Sequence, residues 1–111
     1  MALDLKESDW KLFRRLHSVA LERFCQQVIE DINQSTSNCT GDYHQRYLAV
    51  FNLIMDRNEQ MARAFNDSRR SKAIVLLTSI RELGLLTDEE FSQFSPDTRA
   101  SVESVLEIRR R

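Results

Sequence analysis

Two glycines and one proline, Gly41, Gly84 and Pro96, are all that this chain of 111 residues contains. Loops and turns lean on those two residue types, so the chain has few marked places to reverse direction. Between the marks, apolar residues recur at spacings of three and four, the period of an amphipathic helix. The expectation is an all-α fold. It is a compact bundle of four to five helices, two of them long (about 8–34 and about 42–66), then a central helix, a short helix and a C-terminal helix. A single helical domain covers 1–111, in keeping with about 100–200 residues per domain.

The first helix is expected to open at Ser8 as N-cap with Asp9 in the first turn, or earlier, near Asp4. Two ladders of i+4 spacing line it. One is Leu12, Leu16, Ala20, Phe24, Val28 and Ile32; the other is Phe13, His17, Leu21, Cys25 and Ile29. Four residues advance a helix by about 400°, so the apolar surface migrates around the cylinder. Its two halves are therefore expected to face different partners, or to pack at steep ridge-in-groove crossings, rather than to form a straight antiparallel seam. Residues 35–41, polar and small, read as the loop that folds the second helix back on the first.

The second helix starts at Asp42 as N-cap. Its stripe, Tyr47, Phe51, Ile54, Asn58, Met61 and Phe65, alternates spacings of four and three, a heptad pattern. His44 extends it, and Val50, Met55 and Ala62 widen it. Asn58 interrupts it at the centre. At such a position an Asn either selects register and partner number between chains or bonds to a neighbouring backbone or buried water. Both alternatives keep it away from bulk solvent. Leu53 and Leu48 add apolar area off the stripe, so the helix has more apolar surface than one seam needs.

Residues 66–68 supply a joint, and a third helix spans about 69–83. Its run from Ala73 to Leu77 is apolar all round, which makes it central. Gly84 stands where a glycine ends a helix. Thr87 and Glu90 have capping-box spacing, ahead of a short helix with Phe91 and Phe94. Ser95-Pro96 then caps and starts the last helix, whose inner face is Val102, Val105 and Leu106. The expected core includes Phe24, Val28, Phe51, Ile54, Leu76, Leu77, Ile80 and Val105. The string Leu83-Gly-Leu-Leu-Thr-Asp-Glu-Glu-Phe91 resembles the turn of short bacterial helical-hairpin modules. That resemblance covers nine residues and implies two helices joined by a glycine stop and a threonine cap; no family follows from it.

Composition narrows the functional classes. Formal net charge is −1, with 30% charged and 41% hydrophobic residues, so no global basic field draws in nucleic acid or an anionic membrane. The N-terminal residues carry no apolar signal-peptide core and no run reaches the about 20 apolar residues of a membrane span. The expected address is cytoplasmic, where the triplets starting at Asn33, Asn38 and Asn66 would not be glycosylated. Cys25 and Cys39 are too few for a disulfide framework.

Candidate chemistry is sparse. His17, Cys25, Cys39 and His44 are the soft or imidazole ligands, and none forms a close-spaced pair of the kind zinc sites use. Cys39 and His44, with Asp42, could converge across the loop. Paired carboxylates, Glu30-Asp31 and Asp88 to Glu90, fit helix ends and capping. Two isolated glycines cannot build a phosphate loop. No catalytic residue, metal site or cofactor is expected.

Arg69, Arg70 and Lys72 form the one suggestive basic cluster. They sit at a helix start, against the dipole's preference, which a bound anion would explain; Asp67 and nearby acids can also pair with them. The resulting expectation is a small, non-catalytic, cytoplasmic interaction or regulatory protein. It self-associates through a long amphipathic helix, with Tyr47, Leu53, Asn58 and Met61 at the contact and a homodimer or another protein as partner. The alternative is a helical nucleic-acid-associated regulator using Arg69, Arg70 and Lys72.

Overall fold

Among the described residues of the computed structural model, five α-helices follow one another: α1 (Glu7–Asn38), α2 (Tyr43–Phe65), α3 (Ala73–Glu82), α4 (Asp88–Ser92) and α5 (Pro96–Arg109). A 3-10 turn, Arg70–Lys72, leads into α3. The structure describes residues 5–38, 40–67 and 69–111. Asp4, Cys39 and Ser68, which figured in the expected helix start, loop and joint, lie outside them. The all-α class and the succession of two long helices and three shorter ones stand as expected.

Local signals explain most boundaries. The Asp42 side chain accepts from Gln45 N–H and starts α2. Gly84, at φ 71°, ends α3; Gly84 N–H donates to Arg81 and Leu85 N–H to Ile80, the paired bonds of a Schellman stop. Thr87 and Glu90 form a reciprocal capping box for α4. Ser95 caps α5, with Pro96 in its first turn.

Both ends of α1 differ from expectation. The helix already includes Glu7, so Ser8 lies inside it, and it runs on to Asn38. Residues 35–38 are therefore helical rather than loop. No glycine or proline interrupts them. Thr36 Oγ1 donates to Asn33 carbonyl, and Arg46 donates to the Thr36 carbonyl at 3.1 Å, satisfying groups that the end of a helix leaves unpaired.

The helices divide into a head and an arm. In the head, Phe13, Leu16, Ala20 and Phe24 of α1 close on Ile74, Leu77 and Ile80 of α3, with Phe91, Phe94, Val102 and Leu106 completing the core. The central helix α3 packs on α1, α2 and α5, as its all-round apolar run implies. Beyond the head, α1 and α2 continue as an antiparallel hairpin. The molecule measures 54 × 27 × 23 Å. Its radius of gyration, 16.7 Å, exceeds the about 13 Å of a compact chain this long. The migrating surface of α1 thus serves two environments, as expected: its first half packs in the head and its end pairs with α2.

The expected core needs correction. Phe24, Leu76, Leu77 and Ile80 are buried, and Val28 and Val105 are half-buried, but Phe51 and Ile54 are exposed. They belong to the part of α2 that leaves the head, where α1 alone cannot cover them.

Candidate interaction face

Two parallel heptad rows run along α2, one residue apart. The row that meets α1 is Arg46, Val50, Leu53, Arg57, Gln60 and Ala64. Arg46 reaches the Thr36 carbonyl, Arg57 pairs with Asp31 at 3.1 Å, and the His17 ring sits 3.3 Å from the Ala64 carbonyl. Ala64 is fully buried, and its small side chain lets the two backbones approach. The neighbouring row is the conspicuous stripe Tyr47, Phe51, Ile54, Asn58, Met61 and Phe65, turned about 100° from the first. Only its head end is covered: Met61 and Phe65 pack against the core, and Phe65 lies against His17 and Phe24.

The same offset recurs on α1. Its contact row toward α2 is Ala20, Phe24, Val28, Asp31 and Ser35, all buried or half-buried. One residue later come Leu21, Cys25, Ile29 and Ile32. In an antiparallel pair, the residues that follow the contact row point to the same side on both helices, because the opposite chain directions reverse the sense of rotation. Leu21, Cys25, Ile29 and Ile32 therefore share one broad face with the α2 stripe. The opposite side of the hairpin carries the head: Arg23, one residue before the α1 contact row, bonds Glu90 and the Leu85 carbonyl.

This face is apolar and free of charge. Neither row contains Lys, Arg, Asp or Glu; the charged residues of α2, Arg46, Asp56, Arg57, Glu59 and Arg63, all lie on other sides. Tyr43 is 83% exposed, Tyr47 63%, Ile29 57%, Phe51 49% and Ile54 38%. At about 200 Å² per large side chain these five leave about 600 Å² uncovered, the upper end for a typical monomer's largest apolar patch. Leu48 and Met55, also exposed, extend it over the shoulder of α2.

The expected contact residues fall in different places. Tyr47 and Asn58 are exposed on the face, and Met61 marks its head end. Leu53 is not on it: half-buried, it belongs to the row turned toward α1. Asn58 is not withdrawn from bulk solvent within the single chain, because the row it interrupts has no intramolecular partner. Ile29, Ile32, Tyr43, Phe51 and Ile54 complete the face. Their one-residue phase offset from the smaller contact rows was the signal available in the sequence.

The basic cluster is not gathered around an empty point. Arg69 makes a two-point pair with Asp67 at 2.9 and 2.7 Å. Arg70 pairs with Glu7 at 2.9 Å, donates to the Leu5 carbonyl and lies over the Trp10 ring. Lys72 is exposed. His17 is half-buried between Phe13 and Phe65, Cys25 is half-buried, and His44 is exposed. Cys39 lies outside the described residues. Among those residues, no three His, Cys, Asp or Glu side chains gather as metal ligands, and no helix is long and apolar enough to cross a membrane.

Two polar sites in the head were not foreseen. Asp9, only 3% exposed, accepts from Ser95 N–H, Ser95 Oγ and Thr98 Oγ1 at 3.0, 2.5 and 2.7 Å. Burial pushes its pKa up, but the Ser95 and Thr98 bonds outweigh this and leave it lowered. Arg23 grips Glu90 at 2.7 and 2.9 Å. That grip, with the Thr87 N–H bond, holds the Glu90 carboxyl at about 2. Both tie helix starts to α1.

No protein-family model, curated protein or solved structure matches the chain.

Proposed function

We propose that the protein is a small non-catalytic interaction protein, cytoplasmic and regulatory in character, that self-associates through the outer face of its α1–α2 hairpin. One observation carries the reading: a face two helices wide, apolar and without charge, stands uncovered on the side away from the head. Depletion of charged residues and enrichment in Tyr, Phe and Met characterise the buried centre of protein interfaces. The exposed Tyr43, Tyr47, Ile29, Phe51 and Ile54, with the half-buried Leu21, Cys25, Ile32, Met61 and Phe65, approach the about 800 Å² per partner of a standard interface. The nucleic-acid alternative has less behind it, since acids already hold Arg69 and Arg70.

Sedimentation equilibrium of the full chain tests this. The expected result is a species of twice 13.0 kDa. Phe51→Glu, which places a charge on the face without touching the head, should shift it to the monomer. A wild-type monomer at about 100 µM, a concentration that would fill any site of useful affinity, would reject self-association.

A further inference from the structure

We infer that the second copy lies antiparallel to the first, arm on arm, with Ile54 at the two-fold axis and the four arm helices forming a short bundle. The inference rests on the self-association proposed above and adds the geometry of the partner.

Two face-to-face arrangements obey two-fold symmetry. With the axis along the hairpin, the heads lie side by side and α2 packs on the partner's α1, tip beside tip. With the axis across the hairpin, α2 packs on the partner's α2 and α1 on its α1, each antiparallel. The distribution of apolar residues separates the two. The outer row of α1 stops at Ile32; beyond it come Asn33, Gln34, Ser35, Thr36 and Ser37. In the side-by-side arrangement, Tyr43 and Tyr47 would meet that polar end, and their exposed rings would stay poorly covered.

In the antiparallel arrangement centred on Ile54, they meet apolar surface. Tyr43 comes opposite Phe65 of the partner subunit, and Tyr47 opposite Met61 of the partner subunit. Phe51 comes beside the short Asn58 of the partner subunit, a large side chain against a small one, as close packing requires. The level of α1 follows from the Arg57–Asp31 ion pair: each side chain leans toward the N-terminus of its own helix, so the Arg57 backbone lies about one turn nearer the head than that of Asp31. Ile54 lies one turn toward the tip from Arg57, beside the Ile29–Ile32 turn of α1. The same axis therefore sets Ile29 against Ile32 of the partner subunit. The exposed Tyr43, Tyr47, Ile54 and Ile29 then find apolar neighbours, and the heads point away from the interface on opposite sides.

Disulfide cross-linking of the full chain tests the geometry, with Cys25→Ser and Cys39→Ser as background. Two-fold-related cysteines can bridge only when their Cα atoms come within about 7 Å. Ile54→Cys should convert the 13.0 kDa band to its dimer on mild oxidation. Tyr47→Cys alone should stay monomeric, and Tyr47→Cys mixed with Met61→Cys should cross-link. A sedimentation dimer in which Ile54→Cys alone stays unlinked while Ile54→Cys mixed with Ile29→Cys cross-links would overturn the antiparallel geometry and leave self-association standing. Absence of any dimer in sedimentation would remove both. Circular dichroism of each variant, expected to match the Cys25→Ser, Cys39→Ser parent because Ile29, Tyr47 and Ile54 are exposed and Met61 is half-buried, guards against unfolding as the cause of a missing link.

Discussion

The head and the arm of this molecule are built from the same two helices and end in opposite states. In the head, the apolar rows of α1 are closed by α3 and α5, and the polar groups are tied off. Asp9 holds the start of α5, Arg23 holds α4, and Arg109 bonds Ser79 and pairs with Glu82. Among the described residues, no buried side-chain nitrogen or oxygen lacks a partner. In the arm, each helix has one neighbour and keeps a second apolar row in reserve. A hairpin of two helices covers only one stripe of each, and stable layers need both faces matched. The head encloses its core, leaving Ile108 and Val75 as its exposed apolar side chains among the described residues, whereas the arm has half of a bundle's surfaces.

The sharpest way to break this comparison is to remove apolar volume from each region. Leu76→Ala, in the buried centre, should cost about 2–5 kcal/mol in urea unfolding. Phe51→Ala, measured where the protein is dilute and monomeric, should stay within about 0.5 kcal/mol, as exposed positions do. A loss under 1 kcal/mol at Leu76 would show the head to be loosely packed. A large loss at Phe51 in the monomer would show the arm to be covered within one chain.

Next in size is the polar stitching of the head. Asp9→Ala leaves the Ser95 and Thr98 donors without their acceptor and should cost about 1–3 kcal/mol. Acid probes the same groups. The folded chain holds Asp9 below its ordinary 3.8 and Glu90 at about 2 instead of 4.5, so the unfolded chain takes up protons first. The stability these groups confer is present above about pH 4.5 and lost as pH falls toward 2. Denaturant midpoints recorded from pH 5 to pH 2 should fall, and fall less in Glu90→Gln, where that part of the stability is already absent.

A smaller effect marks the root of the arm. Burial lowers the His17 pKa below 6.5, against the Ala64 carbonyl bond, which raises it. Protonation is therefore easier in the unfolded chain, and stability should decline as pH drops below 6.5 through the folded value. His17→Gln should remove that decline while keeping an N–H donor for Ala64. A decline that survives the substitution would assign it to other groups.

How far these features could be read from residues alone depends on whether the signal was local. Gly84, the Thr87–Glu90 box, Ser95-Pro96 and Asp42 act within one turn of chain, and each stands where its chemistry places it. The run from Ala73 to Leu77 announced a central helix because it has no polar side to offer water. The choice between the two rows of α2 was not local. Both have heptad spacing, and the bulkier one drew the eye, yet Arg46, Val50, Leu53 and Ala64 meet α1. Their partners, Asp31 and the Thr36 carbonyl, are up to 26 residues away. The Asp9 site was hidden for the same reason, since Ser95 and Thr98 follow it by 86 and 89 positions.

Asn58 gives the smallest expected effect on the single chain and the finest test of the comparison. It stands in the outer row, where the monomer leaves it in water. Asn58→Ile should therefore change monomer stability by no more than about 0.5 kcal/mol. Within the proposed dimer the same substitution removes the only polar side chain among the central positions of the α2 stripe. A buried Asn of this kind holds register at a cost in stability, so the variant should associate more tightly and with less discrimination, populating species larger than a dimer. Sedimentation at several concentrations reads both effects. If Asn58→Ile left association unchanged, the centre of the arm would have no part in the contact. If it destabilised the monomer, Asn58 would be held within its own chain, and the arm would be closer to finished than its exposed row indicates.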